Sequence, residues 1–142
     1  MDELMAALRQ AFNDYRQDLD NYEKKRKPTD GLLGFGNPLQ NDPCHERLDQ
    51  QVEQIVNQMA ALSPASQDAE QAMRMLLFHE DAAWPVAAQW MLRALERHAL
   101  PLIPYLAPEV AAKLQKEYAA RYKPWDRLPA QKQVLRGLKE RG

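Results

Sequence analysis

The sequence predicts an all-α fold of about six helices arranged in antiparallel hairpins. Three observations lead there. Apolar residues recur at alternating steps of three and four along nearly the whole chain, the period of a one-sided helix. No segment combines period-two alternation with enrichment in β-branched residues, as a half-buried strand would. Five prolines at expected helix starts, Pro43, Pro64, Pro85, Pro108 and Pro129, stand 21, 21, 23 and 21 residues apart, which allots one helix and a short connection to each interval. A length of 142 residues at 45% hydrophobic content fits a single domain over 1–142, large enough to bury a core without disulfides.

The first helix is expected over 2–26. Met5, Leu8, Phe12, Tyr15, Leu19 and Tyr22 form one stripe, and the KKRK run from Lys24 to Lys27 places cations at the C-terminal end, where the helix dipole favours them. Asp42-Pro43 opens the second helix, with the aspartate able to cap free N–H groups and proline at the first helical position. Its stripe is Leu48, Val52, Ile55, Met59 and Leu62. Ser63-Pro64 opens a third helix with Ala69, Ala72, Met73, Leu76 and Leu77 inward. The segment from Asp81 to Trp84-Pro85 opens a fourth, carrying Trp90, Met91, Ala94, Leu95 and His98; its wide apolar face predicts a central position. PLIPYLAP reads as a short helical turn packed on the core. Ala107-Pro108 starts a fifth helix with Val110, Ala111, Leu114, Tyr118 and Tyr122 inward, and Leu128-Pro129 a sixth with Val134, Leu135 and Leu138. Residues 43–142 thus read as helical hairpins.

Two such units span roughly the 40 to 47 residues of a HEAT-type hairpin. The sequence therefore resembles a short HEAT-like stack in architecture, while an ordinary up-and-down helical bundle satisfies the same pattern.

Composition narrows function by exclusion. The longest stretch without a charged residue, Gln54 to Gln67, has 14 residues and is mostly polar, so no membrane span is expected. The start, MDELMAALRQAF, is acidic where a leader needs positive charge, and the expected location is cytoplasmic. One cysteine, Cys44, forms no internal disulfide and no multi-thiolate metal site. The formal net charge of −1 conceals segregation: residues 1–23 carry −4, 28–62 carry −4 and 101–142 carry +5. An acidic protein surface or nucleic acid could meet the basic end, but the acidic remainder opposes general polyanion binding.

Three places carry candidate chemistry. The Gly-rich loop over 28–42 is long for a helix connection. Its Gly34, Phe35 and Gly36 could turn backbone N–H groups toward an anion, yet no strand precedes them and no Gly-Lys-Ser/Thr follows, so nucleotide-loop readings lack their context. Next, Cys44 and His45 fall in the first turn of helix two, where the dipole favours a thiolate and histidine could serve as base. If the chain is an enzyme, Cys44, His45 and His79 are the expected catalytic residues. The simpler reading makes Cys44 a small buried thiol, with His45 and Glu46 at the surface. His79, Glu80 and Asp81, leading to Trp84, form a second cluster that shares a side of the molecule with Cys44 if helices two and three pair antiparallel. No HExxH or CxxC is present, and no metal or cofactor is implied. Finally, Tyr122, Trp125 and Arg127 sit in a basic aromatic C-terminal segment whose composition suits a protein interface, suits nucleic acid less, and is met most simply by aromatics closing the core.

The expectation is a non-catalytic module that contacts another protein through one of these surfaces. A small Cys/His enzyme or ligand-binding protein is the first alternative and nucleic-acid binding through the C-terminus the second. The stripe of helix one is also compatible with a homodimer.

Overall fold

The computed structural model describes residues 1–25, 43–78, 84 and 86–142. Among these, the chain forms six α-helices and no strand: α1 (Asp2–Lys25), α2 (Pro43–Ala61), α3 (Ser66–Leu77), α4 (Val86–Leu95), α5 (Pro108–Ala119) and α6 (Pro129–Arg141). A 3-10 segment, Glu96–Tyr105, continues α4, and a 3-10 turn, Pro124–Asp126, precedes α6. The all-α bundle expected from periodicity is observed.

Helices α1 and α2 pack along their apolar stripes. Met5, Leu8, Tyr15 and Leu19 are buried as expected, joined by Ala11. From α2 come Leu48, Val52, Val56 and Met59. Each such side chain, fully withdrawn from water, contributes about 1.5–3 kcal/mol. On the outer side, Arg47 and Asp18 form an ion pair at 2.7 Å.

The end of α2 departs from expectation. Ser63 has φ 49°, a left-handed conformation usually given to glycine after a helix C-terminus. The N–H groups of Leu62 and Ser63 donate to the carbonyls of Met59 and Ala60, each at 3.1 Å. This turn swings Leu62 off the stripe and into solvent, where it is 58% exposed. It also delays α3 to Ser66 rather than Pro64. Ser66 Oγ then accepts the Ala107 N–H at 2.8 Å, tying the start of α3 to the start of α5.

Contacts join both consecutive and alternate elements. Helix α1 contacts α2, α2 contacts α4 and the 3-10 segment, and both of these contact α6. Helix α3 contacts α5, while α3 on the 3-10 segment and α5 on α6 join the two rows. The central element is therefore the 3-10 segment rather than α4, which corrects the sequence expectation. Two prolines explain it. Pro101 and Pro104 lack the N–H that an α-helix would donate to the carbonyls of residues 97 and 100, so the chain winds into the tighter three-residue turn. Such a turn stacks residues three apart, and Glu96, Ala99 and Leu102 form one fully buried row. The first five residues of PLIPYLAP thus end a ten-residue element reaching back to Glu96, its last proline opens α5, and His98 belongs to the 3-10 segment rather than to α4. At Gly137 an added Cβ would lie 2.8 Å from Ile103 Cδ1, so a side chain there would displace the tip of Ile103.

Arg97 and His98 anchor the segment to α2. Both Asp49 carboxylate oxygens lie 3.0 Å from an Arg97 guanidinium nitrogen, and His98 Nε2 is hydrogen-bonded to the same carboxylate. His98 is a satisfied buried histidine.

Candidate functional site

Of the twelve candidate residues, Gly34, Phe35, Gly36, His79, Glu80 and Asp81 lie outside the described residues. The other six fall into two groups, each organised by a side chain that periodicity alone assigns to the core or to solvent.

The first group surrounds Tyr15. Cys44 and His45 occupy the first turn of α2, as expected, and both are buried. The surface position expected for His45 is therefore corrected: the Tyr15 hydroxyl and His45 Nδ1 share a hydrogen bond of 2.7 Å, which gives the ring a polar partner inside the α1–α2 contact. Trp84 comes to the same place, its ring centroid 5.7 Å from that of Tyr15, with the Arg16 guanidinium 4.9 Å from the indole centroid. Tyr15 thereby joins Cys44, His45 and Trp84, residues separated by up to 40 positions in sequence.

Beside them is a cavity of about 210 Å³ lined by Asp14, Tyr15, Asp18, Cys44 and Arg47, among others. The N-terminus of α2 favours a thiolate at Cys44, whereas burial and the two nearby carboxylates oppose it. We expect iodoacetamide to label Cys44 at the rate of protein opening, with full reaction only in denaturant. Rapid stoichiometric labelling of the folded protein would instead mark an accessible, activated thiol and support the ligand-site alternative. Among the described residues no three His, Cys, Asp or Glu side chains converge as metal ligands.

The second group surrounds Arg93. This guanidinium is buried, 4.2 Å from the Tyr122 ring centroid and 4.9 Å from that of Trp90. One of its nitrogens donates to Gln131 Oε1 at 2.9 Å and to the Asp126 carbonyl. The second contact holds the 3-10 turn carrying Trp125 against α4. Trp125 is 82% exposed and Trp90 55%, so the indole expected in the core of α4 faces solvent instead. Tyr122 lies beyond the end of α5 and is half-buried, rather than on the inward face of that helix. Arg127 donates to the Ala119 carbonyl at 2.9 Å, closing the turn from below. The simplest sequence reading, with these aromatics closing the core, fails for Trp125.

A buried network fixes Arg93. Gln131 Nε2 donates to Glu96 Oε2 at 2.7 Å and the Tyr118 hydroxyl donates to the same oxygen at 2.8 Å. The Leu128 N–H donates to Gln131 Oε1 at 3.0 Å, so Gln131 serves both the start of α6 and the guanidinium. The Tyr118 hydroxyl, the Gln131 amide and one Arg93 nitrogen each have an acceptor, which holds the arginine under the surface rings. Burial, reinforced by the Glu96 carboxylate, raises the Tyr118 pKa above the ordinary phenol value. The unfolded chain then releases this proton near pH 10 while the folded protein keeps it. Stability associated with Tyr118 is complete below pH 10 and declines above it, by up to about 1.4 kcal/mol per pH unit. Tyr118→Phe should shed that share of the alkaline decline in urea-unfolding curves; an unchanged pH slope would refute it.

No known protein family, curated protein or solved structure matches this chain. Function must be read from the geometry.

Sequence reasoning missed Tyr15, Arg16, Trp90 and Arg93. A weak signal existed for the last two. Trp90 and Arg93 are three apart on one helix, close enough for a cation to sit on an indole face.

Proposed function

We propose that this chain is a non-catalytic helical module that meets another protein through the face formed by Trp90, Tyr122 and Trp125. The observation carrying this reading is a buried arginine that lies on the exposed Trp90 ring and also holds the turn bearing the exposed Trp125. Trp, Tyr and Arg are the residues most enriched where interfaces concentrate their binding energy. Preorganisation adds to it, because side chains already held in place lose little entropy on binding. The contacts of α2 with α4, α3 with α5 and α4 with α6 support a stacked-hairpin form of the scaffold. A cytoplasmic setting fits the single thiol.

The test is site-specific photo-cross-linking in cells, with the photoreactive group at position 125 and, as control, at position 62, which is also exposed but lies on the other connection. A discrete protein adduct from position 125, absent from position 62 and lost in Trp90→Ala, is the expected result. Equal adduct patterns from both positions, or none from 125, would overturn the reading.

A further inference from the structure

The charges around the two exposed indoles are one-sided. Arg93, Lys123 and Arg127 have no ion-pair partner among the described residues, although other arginines do: Arg47 pairs with Asp18, Arg74 with Glu70 and Glu117, and Arg97 with Asp49. Lys123, two residues before Trp125, is exposed, and Arg127, two residues after it, is partly exposed. Asp126 is the one carboxylate in the stretch from 118 to 128. Glu117, just before it, is drawn away by Arg74 at 2.7 Å, which also lowers its pKa and keeps it ionised. The face therefore offers apolar rings inside a positive rim.

We infer that its occupant is an acidic peptide segment of a partner protein, with an apolar side chain seated against Trp90 and Trp125 and carboxylates beside Lys123 and Arg127. This rests on the reading of that face as a protein interface. Charge complementarity selects the acidic partner: like-signed rims repel, and opposite-signed rims steer association and fix register. A polynucleotide fits less well. Its affinity depends on neutralising several phosphates in a row, and the net negative charge of segments 1–23 and 28–62 opposes it.

The test is selection from a random twelve-residue peptide display library on the full-length protein, with a (dT)12 oligonucleotide as a separate probe. Enriched peptides should be net acidic and carry an aromatic or large aliphatic residue. Trp125→Ala should weaken a selected peptide by about 30-fold, the loss typical of an interface anchor. Lys123→Glu removes an exposed cation that has no ion pair among the described residues, and it should shift the selected pool toward neutral or basic peptides. Neutral or basic peptides selected by the natural chain and lost in Trp125→Ala would overturn the acidic partner while leaving the interface. Peptides insensitive to Trp125→Ala, or tighter binding of (dT)12 that Trp125→Ala abolishes, would overturn both.

Discussion

Glu96→Leu is expected to lower the unfolding free energy by about 3 kcal/mol in urea titration. The substitution fills the space but removes the oxygen that accepts the Tyr118 O–H and the Gln131 N–H. Two buried donors left without an acceptor cost about 1–3 kcal/mol each, partly offset because a carboxylate no longer has to be desolvated. Glu96→Gln keeps an acceptor at the same position and should cost only about 1 kcal/mol. Equal stability of Glu96→Leu and the natural chain would mean the network contributes nothing net. The same change should loosen Arg93, because Gln131 loses the contact that orients it, so near-ultraviolet circular dichroism from Trp90 and Tyr122 should weaken with no residue at the surface altered.

Leu102→Ala should be the most damaging single truncation of an apolar side chain, at about 3–5 kcal/mol. Leu102 is fully buried in the 3-10 segment on which α2, α3 and α6 all pack, so three elements would have to move to refill the void. Against a total stability of about 5–15 kcal/mol for a domain of this kind, that loss is severe. Leu62→Ala removes the same atoms from a side chain that the left-handed turn at Ser63 has put in solvent, and its effect should stay within about 0.5 kcal/mol. Comparable losses for the two variants, in chemical or thermal unfolding, would contradict the central place of the 3-10 segment.

Much of the architecture was legible because helices are local. Pro43, Pro108 and Pro129 stand at the first positions of α2, α5 and α6, since a missing N–H and a restricted φ suit that position in any context. The stripe of α3 was read without error, because its apolar and polar residues separate cleanly. Helix α4 shows where this kind of reading stops. Its ten residues are almost all apolar, so the expected face through Trp90, Met91, Ala94, Leu95 and His98 and a face through Ala88, Leu92 and Leu95 fit periodicity equally well. Packing chose the second. Continued for one more turn, that second face passes through Glu96 and Ala99, so the buried carboxylate and the exposed indole are two results of one choice.

The candidate site divides along the same line. Cys44, His45, Trp84, Tyr122, Trp125 and Arg127 were picked by residue type, and type is a property of sequence. Which of them meet was not. Tyr15 draws His45 and Trp84 together from three separate elements, and Arg93 gathers Trp90, Tyr122 and the turn bearing Trp125. By itself the sequence determined the helical class, several helix starts and the segregation of charge, all of which depend on neighbours within a turn or two. Only the tertiary structure decided which face of α4 is buried, which aromatics reach solvent and which cations have no ion pair among the described residues. Those outcomes depend on contacts between residues 22 to 38 positions apart, whose energies no local pattern encodes.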